Sequence, residues 1–307
     1  MFGTLKDGRQ VERLTISAGD LSISILTLGA IIQDARLSGV PYSLTHGSDD
    51  VSDYEGSMLY HGCIAGPVAN RIANAEAEVD GRAIRLESNE GTTCLHGGPG
   101  GTHGRIWKVV SQTEDSATLR LRLSDGDGGF PGNREMTAEF SISAPSVLTL
   151  TLTTTTDAPT LVNLTNHSYW ALGGADRHEQ TFTCLADRFV EVGEGLIPTG
   201  RTPSVEGTLY DFRSGAPVGA GLYDICLCLS DERREMTEVA RLEGGGLTLR
   251  LDSTEPGLQI YDGGRPGALA IEAQNWSGAA NQPAFPSDTL HPGKALVQKT
   301  RWTFTRT

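Results

Sequence analysis

A leucine–polar alternation with a period of two residues constrains this chain more than anything else in it. Thr118-Leu119-Arg120-Leu121-Arg122-Leu123 places its leucines on one side of an extended backbone and its polar groups on the other. Leu148-Thr149-Leu150-Thr151-Leu152-Thr153 repeats the pattern, and so does Leu247-Thr248-Leu249-Arg250-Leu251. Two is the strand period, because successive side chains of an extended chain point to opposite faces. Turn dipeptides punctuate the tracts: Asp80-Gly81, Asp125-Gly126, Asp127-Gly128, Pro131-Gly132, Pro256-Gly257 and Pro292-Gly293. The 38 glycines suit turns better than helices. Long amphipathic helical stretches are missing. The pattern predicts an all-β fold, a large β-sandwich. No linker or internal repeat divides the 307 residues, so one domain over 1–307 is expected.

Charge and composition remove several functions. A net charge of -13 and a pI near 5.0 leave no basic footprint for nucleic acid. No apolar run approaches the roughly 20 residues of a membrane span. Met1 to Gly8 lacks the basic-then-apolar layout of a secretory signal. Cys63, Cys94, Cys184, Cys226 and Cys228 are odd in number and scattered, which suggests reduced thiols in a cytoplasmic protein. The sequons at Asn163, Asn166 and Asn275 then read as accidental. Cys226-x-Cys228 lacks metal-site spacing, and no metal site is expected. His178-Glu179 is not followed by the second histidine of a zinc protease. There is no phosphate-binding Gly-x4-Gly-Lys loop, no dinucleotide Gly-x-Gly-x-x-Gly and no Gly-x-Ser-x-Gly elbow.

Polar residues inside apolar or glycine-rich tracts remain. His167 stands in Asn163-Leu164-Thr165-Asn166-His167-Ser168-Tyr169-Trp170, among amides, hydroxyls and rings. Histidine exchanges protons near neutrality, and polar donors beside an aromatic surface suit a sugar. Glu272 interrupts the apolar Ala268-Leu269-Ala270-Ile271-Glu272-Ala273. It either turns outward or is a desolvated carboxyl with enhanced basicity. His96 precedes Gly97-Gly98, which would let the backbone approach a ligand. Arg71 lies between Asn70 and Asn74, a fork of donors among amides. Asp224 follows Leu222-Tyr223 beside an apolar run. Each of these alone has an ordinary structural reading.

Taken in order, these tracts resemble the aldose 1-epimerase (mutarotase) family, galactose-mutarotase type. The matching stretches are Gly66-Pro67-Val68-Ala69-Asn70-Arg71-Ile72-Ala73-Asn74, Leu95-His96-Gly97-Gly98, Gly129-Phe130-Pro131-Gly132-Asn133 and the His167 tract. Ile197-Pro198-Thr199-Gly200, Tyr210-Asp211-Phe212-Arg213, Thr254-Glu255-Pro256-Gly257, Ile271-Glu272-Ala273-Gln274 and Asn281-Gln282-Pro283-Ala284-Phe285-Pro286 follow. The resemblance implies a mutarotase-like supersandwich and a cofactor-free exchange of the α and β anomers of a free monosaccharide. It makes Glu272 the general base and His167 the general acid. It makes Arg71, His96, Asp224 and Asn70 the sugar-holding residues. Glu272 is then expected to be ionised and His167 protonated. The chain is expected as a monomer or homodimer. Departures stand at Ile225-Cys226 and at Ile260, where the family often has a His or Asn and an aromatic, and they point to a different or broader aldose. The alternatives are a sugar-phosphate epimerase of the same fold and a non-catalytic carbohydrate-binding protein.

Overall fold

The computed structural model describes residues 1–172, 180–218, 223–263 and 267–307. His178, Glu179 and Leu222 of the tracts above lie outside the described residues.

The three alternating tracts form the strands Ser116–Leu123, Val147–Thr156 and Leu247–Ser253, and their leucines are buried. Asp80 and Gly81, with φ of 49° and 76°, close the hairpin between Glu76–Val79 and Arg82–Arg85. Left-handed φ at both turn residues matches the twist of the strands they join. Among the described residues the helices are short 3-10 turns. No helix is long and apolar enough to cross a membrane.

Nine antiparallel strands make the larger sheet. Its order is Lys108–Gln112, Ser116–Leu123, Arg134–Ser143, Val147–Thr156, Ala295–Arg306, Leu247–Ser253, Thr237–Gly244, Thr181–Cys184 and Ala216–Pro217. The last strand of the chain thus lies in the middle. Its Trp302 pairs with Leu148 on one side and Leu251 on the other. A second sheet has the order Tyr169–Trp170, Leu269–Gln274, Gly257–Tyr261, Asp224–Cys228 and Arg188–Phe189.

One face of this second sheet is wholly apolar. Trp170, Leu269, Ile271, Ile260, Leu258, Ile225 and Leu227 enter the main core together with Trp302 and Phe304 of the larger sheet. The Trp170 ring lies 5.6 Å from that of Trp302 and 5.5 Å from that of Phe304. Sheet-on-sheet packing of this kind makes the sandwich. Each fully buried aliphatic or aromatic side chain contributes roughly 1.5–3 kcal/mol. All five cysteines are buried and free. Asn163, Asn166 and Asn275 are buried as well, so none is a glycan acceptor in the folded chain.

Candidate active site

The other face of the five-stranded sheet is also covered, but by polar groups. Register places Gln259 opposite Glu272 and Asp224 opposite Tyr261. Tyr169 pairs with Ala270 on the neighbouring strand. Tyr169, Glu272, Gln259, Tyr261 and Asp224 line a cavity of about 330 Å³. The strand Leu269–Gln274 is buried at all six positions. A strand covered on both faces loses its polar–apolar alternation. That is why Glu272, 1% exposed, reads as an isolated carboxylate in an apolar run.

His167 is set against Glu272 by contacts on either side of it. The Thr165 hydroxyl donates to the Ala273 carbonyl at 3.0 Å, and Tyr169 pairs with Ala270. The His167 amide donates to the Cys63 carbonyl, and its own carbonyl accepts from Gly62. The outcome is a His167 Nε2 to Glu272 Oε1 separation of 3.6 Å. This exceeds hydrogen-bond distance. His167 Nδ1 and Glu272 Oε2 are buried with no hydrogen-bond partner among the described residues.

Burial decides the charge state of this pair. It raises the Glu272 carboxyl well above the usual range, and the Asp224 carboxylate pushes the same way. It pulls the His167 imidazolium down to about 4, with His103 adding to the effect. The protein by itself therefore favours a carboxylic acid beside a neutral imidazole. The expectation from sequence is the reverse, an ionised Glu272 beside a protonated His167. The reason for the difference is that desolvation outweighs attraction between two groups too far apart to hydrogen-bond.

Arg71, Asn70 and His96 come from the opposite wall. Leu95 pairs with Arg71 and Cys94 with Ile72, which brings His96 beside Asn70. The Asn70 amide donates to His96 Nδ1 at 3.1 Å, and the His96 amide donates to the Asn70 carbonyl at 3.1 Å. An accepting Nδ1 leaves the ring proton of neutral His96 on Nε2. Burial keeps the ring neutral, lowering it well below the usual histidine range, with His167, His103 and Arg71 reinforcing. Arg71 Nε and Nη2 meet the Glu90 carboxylate at 2.7 and 3.1 Å, and Nη1 meets Asp224 Oδ2 at 3.4 Å. The amide of Gln259 donates to Asp224 Oδ1 at 2.7 Å. Burial pushes the Asp224 carboxyl up, and Arg71 opposes it.

All six residues picked from the sequence thus line one cavity. Tyr60, Asn70 and His96 hold left-handed backbones, with φ of 73°, 64° and 51°. Such conformations cost about 1–3 kcal/mol each and cluster where a site over-determines them.

A model of the aldose 1-epimerase family matches residues 12–303. The chain belongs to the aldose 1-epimerase family. It is 31% identical to a galactose mutarotase of Bos taurus, covering 99% of this chain and 97% of that one. It is 30% identical to an aldose 1-epimerase of Escherichia coli (strain K12), covering 97% and 96%. An aldose epimerase homologue from C. elegans superposes with a TM-score of 0.89 at 29% identity, covering 97% of this chain and 100% of that one.

Within this aldose 1-epimerase fold some sequence expectations change. Ile225 and Ile260 are buried in the core on the face away from the pocket, so neither lines it. Tyr169 lines the cavity, whereas Trp170 belongs to the core. Gly97 and Gly98 serve the chain rather than a ligand. Both have positive φ, and a Cβ on either would strike a backbone carbonyl, that of Gly66 or Glu87. Tyr60, Glu90, Gln259 and Tyr261 also line the pocket and were not selected from sequence. Gln259 and Tyr261 share strand parity, a signal visible in Gly257-Leu258-Gln259-Ile260-Tyr261. Glu90 carries no sequence signal.

Proposed function

We propose that Glu272 and His167 are the base and acid that open and reclose the sugar ring. The reaction is the family's, interconversion of the α and β anomers of a free aldose by an isomerase. The observation that carries the assignment is the 3.6 Å between two buried groups facing one cavity. An anomeric hydroxyl and a ring oxygen are bonded to one carbon, so two groups facing one cavity at this separation can reach both.

The pair carries one titratable proton in either of two arrangements: carboxylate with imidazolium, or carboxylic acid with imidazole. The first starts ring opening. Glu272 takes the proton of O1–H, the C1–O1 double bond forms, the C1–O5 bond breaks, and His167 gives its proton to O5. The pair is then in the second arrangement, the one that burial favours. After rotation about C1–C2, O5 attacks the other face of the aldehyde. Glu272 returns its proton to O1 and His167 recovers one from O5. Sugar hydroxyls donating to Glu272 would stabilise the carboxylate needed at the start.

Arg71, His96 and Asn70 on the facing wall, with Asp224 on the sheet itself, hold the sugar through donors and acceptors. Tyr60, Tyr169 and Tyr261 offer apolar ring surface. With Ile225 and Ile260 out of the pocket, galactose, named for the mammalian relative, belongs among the substrates to be tested.

Polarimetry on fresh α-D-galactose, α-D-glucose and a pentose tests this reading. Wild type should hasten equilibration, and Glu272→Gln or His167→Gln should each lower kcat roughly 10²–10⁴-fold. Acceleration that survives unchanged in Glu272→Gln would sink the assignment.

A further inference from the structure

Glu90 takes no part in the proton transfers, yet it makes the shortest contacts to Arg71. Its two carboxylate oxygens span Nε and Nη2 at 2.7 and 3.1 Å, against 3.4 Å from Nη1 to Asp224. Bidentate pairing fixes both the plane and the charge of a guanidinium. Burial works against the Arg71 charge, and pairing with Glu90 and Asp224 outweighs it.

The loop that carries Glu90 is itself tied down. Glu90 and Thr93 exchange backbone hydrogen bonds at 3.1 and 2.9 Å, closing the turn through Gly91. The Asn89 side chain donates to the Leu95 carbonyl and to the Tyr60 hydroxyl, and it accepts from the Leu95 amide. Glu90 is therefore presented at the rim of the pocket, its side chain 42% exposed, above an Arg71 side chain that is 11% exposed.

The charges then add up in one direction. Among the described residues that line the cavity, Arg71 is the one lysine or arginine, and it faces two carboxylates, those of Glu90 and Asp224. A sugar carboxylate entering the pocket would have to displace Glu90 to reach the Nε–Nη2 edge of Arg71.

We propose that Glu90 determines specificity: by occupying the Nε–Nη2 edge of Arg71, it makes the pocket select uncharged aldoses over sugar carboxylates. This deepens the reading of the cavity as the aldose site and rests on it.

The test compares D-galactose with D-galacturonate and D-glucose with D-glucuronate, pairs that differ only at C6. Polarimetry gives kcat and KM for wild type and Glu90→Gln. Inhibition of galactose turnover by galacturonate is measured alongside, so a slow variant is still read out. Gln is isosteric and the position is half-exposed, and circular dichroism checks the fold. In Glu90→Gln, the kcat/KM ratio of uronate to neutral sugar should rise at least about tenfold, and galacturonate should inhibit correspondingly better. The neutral sugars should show a higher KM with kcat within about threefold. A ratio unchanged within about twofold, with equal losses on both sugars, would reduce Glu90 to a structural brace and overturn the proposal. Wild type that hastens no neutral aldose overturns the underlying reading of the site instead.

Discussion

Arg71 is held between two carboxylates, whereas Glu272 and His167 face each other with open hydrogen-bonding atoms. Both ends of the pocket are polar and largely buried, yet they are built on opposite terms. At the Arg71 end each charge meets its counterpart, so the side chains are fixed before a ligand arrives. At the Glu272 end the groups are desolvated and stand 3.6 Å apart without a hydrogen bond between them. A buried polar atom without a partner costs about 1–3 kcal/mol. On the proposed assignment, the catalytic pair carries that cost, whereas the guanidinium and carboxylates proposed to hold the sugar pair with one another.

Breaking the unpaired end should have the largest effect. Glu272→Gln loses rate as described above, with KM little changed, and should gain about 1–3 kcal/mol of stability in urea titration near neutral pH. The sign follows from linkage. The Glu272 carboxyl has a raised folded pKa, so its contribution is full below the unfolded pKa and is lost as pH rises through the folded one. The variant's advantage over wild type should therefore grow with pH. A stability gain that is flat with pH would argue against a strained carboxyl.

Breaking the paired end should act on binding. Arg71→Met should raise KM for neutral aldoses roughly 10–100-fold and change kcat less, because hydrogen bonds to a charged group are removed. A fall confined to kcat would erase the distinction between the two ends.

Acid titration separates them further. Burial lowers His103 and His167 to about 4, so the stability tied to their neutral forms is present above the unfolded value near 6.5. It is lost as pH falls through about 4. Each should cost roughly 2 kcal/mol by pH 5. His167→Gln should flatten the curve by about one such share in denaturation at pH 7.5 and 5.

The smallest effect on function is expected on the apolar face of the same sheet. Ile260→Phe should cost about 1–3 kcal/mol by overpacking, seen in urea titration, and leave the KM of every aldose unchanged. A change in sugar preference would place that side chain in the pocket.

Much of this was legible in the chain. Alternation at Leu119 to Leu123 and at Leu148 to Leu152 announces half-buried strands, because one face meets the core and the other meets water. The five-stranded sheet is harder to read, since Leu269–Gln274 is covered on both faces and its parity is masked. Glu272, His167, Arg71, His96, Asp224 and Asn70 were recognisable as an ordered series. Their protonation was not, because it depends on desolvation that only the assembled pocket imposes. Glu90 was invisible for a related reason: its partner Arg71 is reached through a turn whose geometry no motif encodes.

The contacts that build the pocket join distant parts of the chain. Arg71 and Asp224 are 153 positions apart, Thr165 and Ala273 are 108, and Gln298 and Leu164 are 134. Loops of that length must close before either wall has the other to face. No local segment carries both walls, so on the proposed assignment activity requires these long-range contacts to be in place. Turnover is accordingly a stringent reporter of native topology, more so than the recovery of strand signal in circular dichroism.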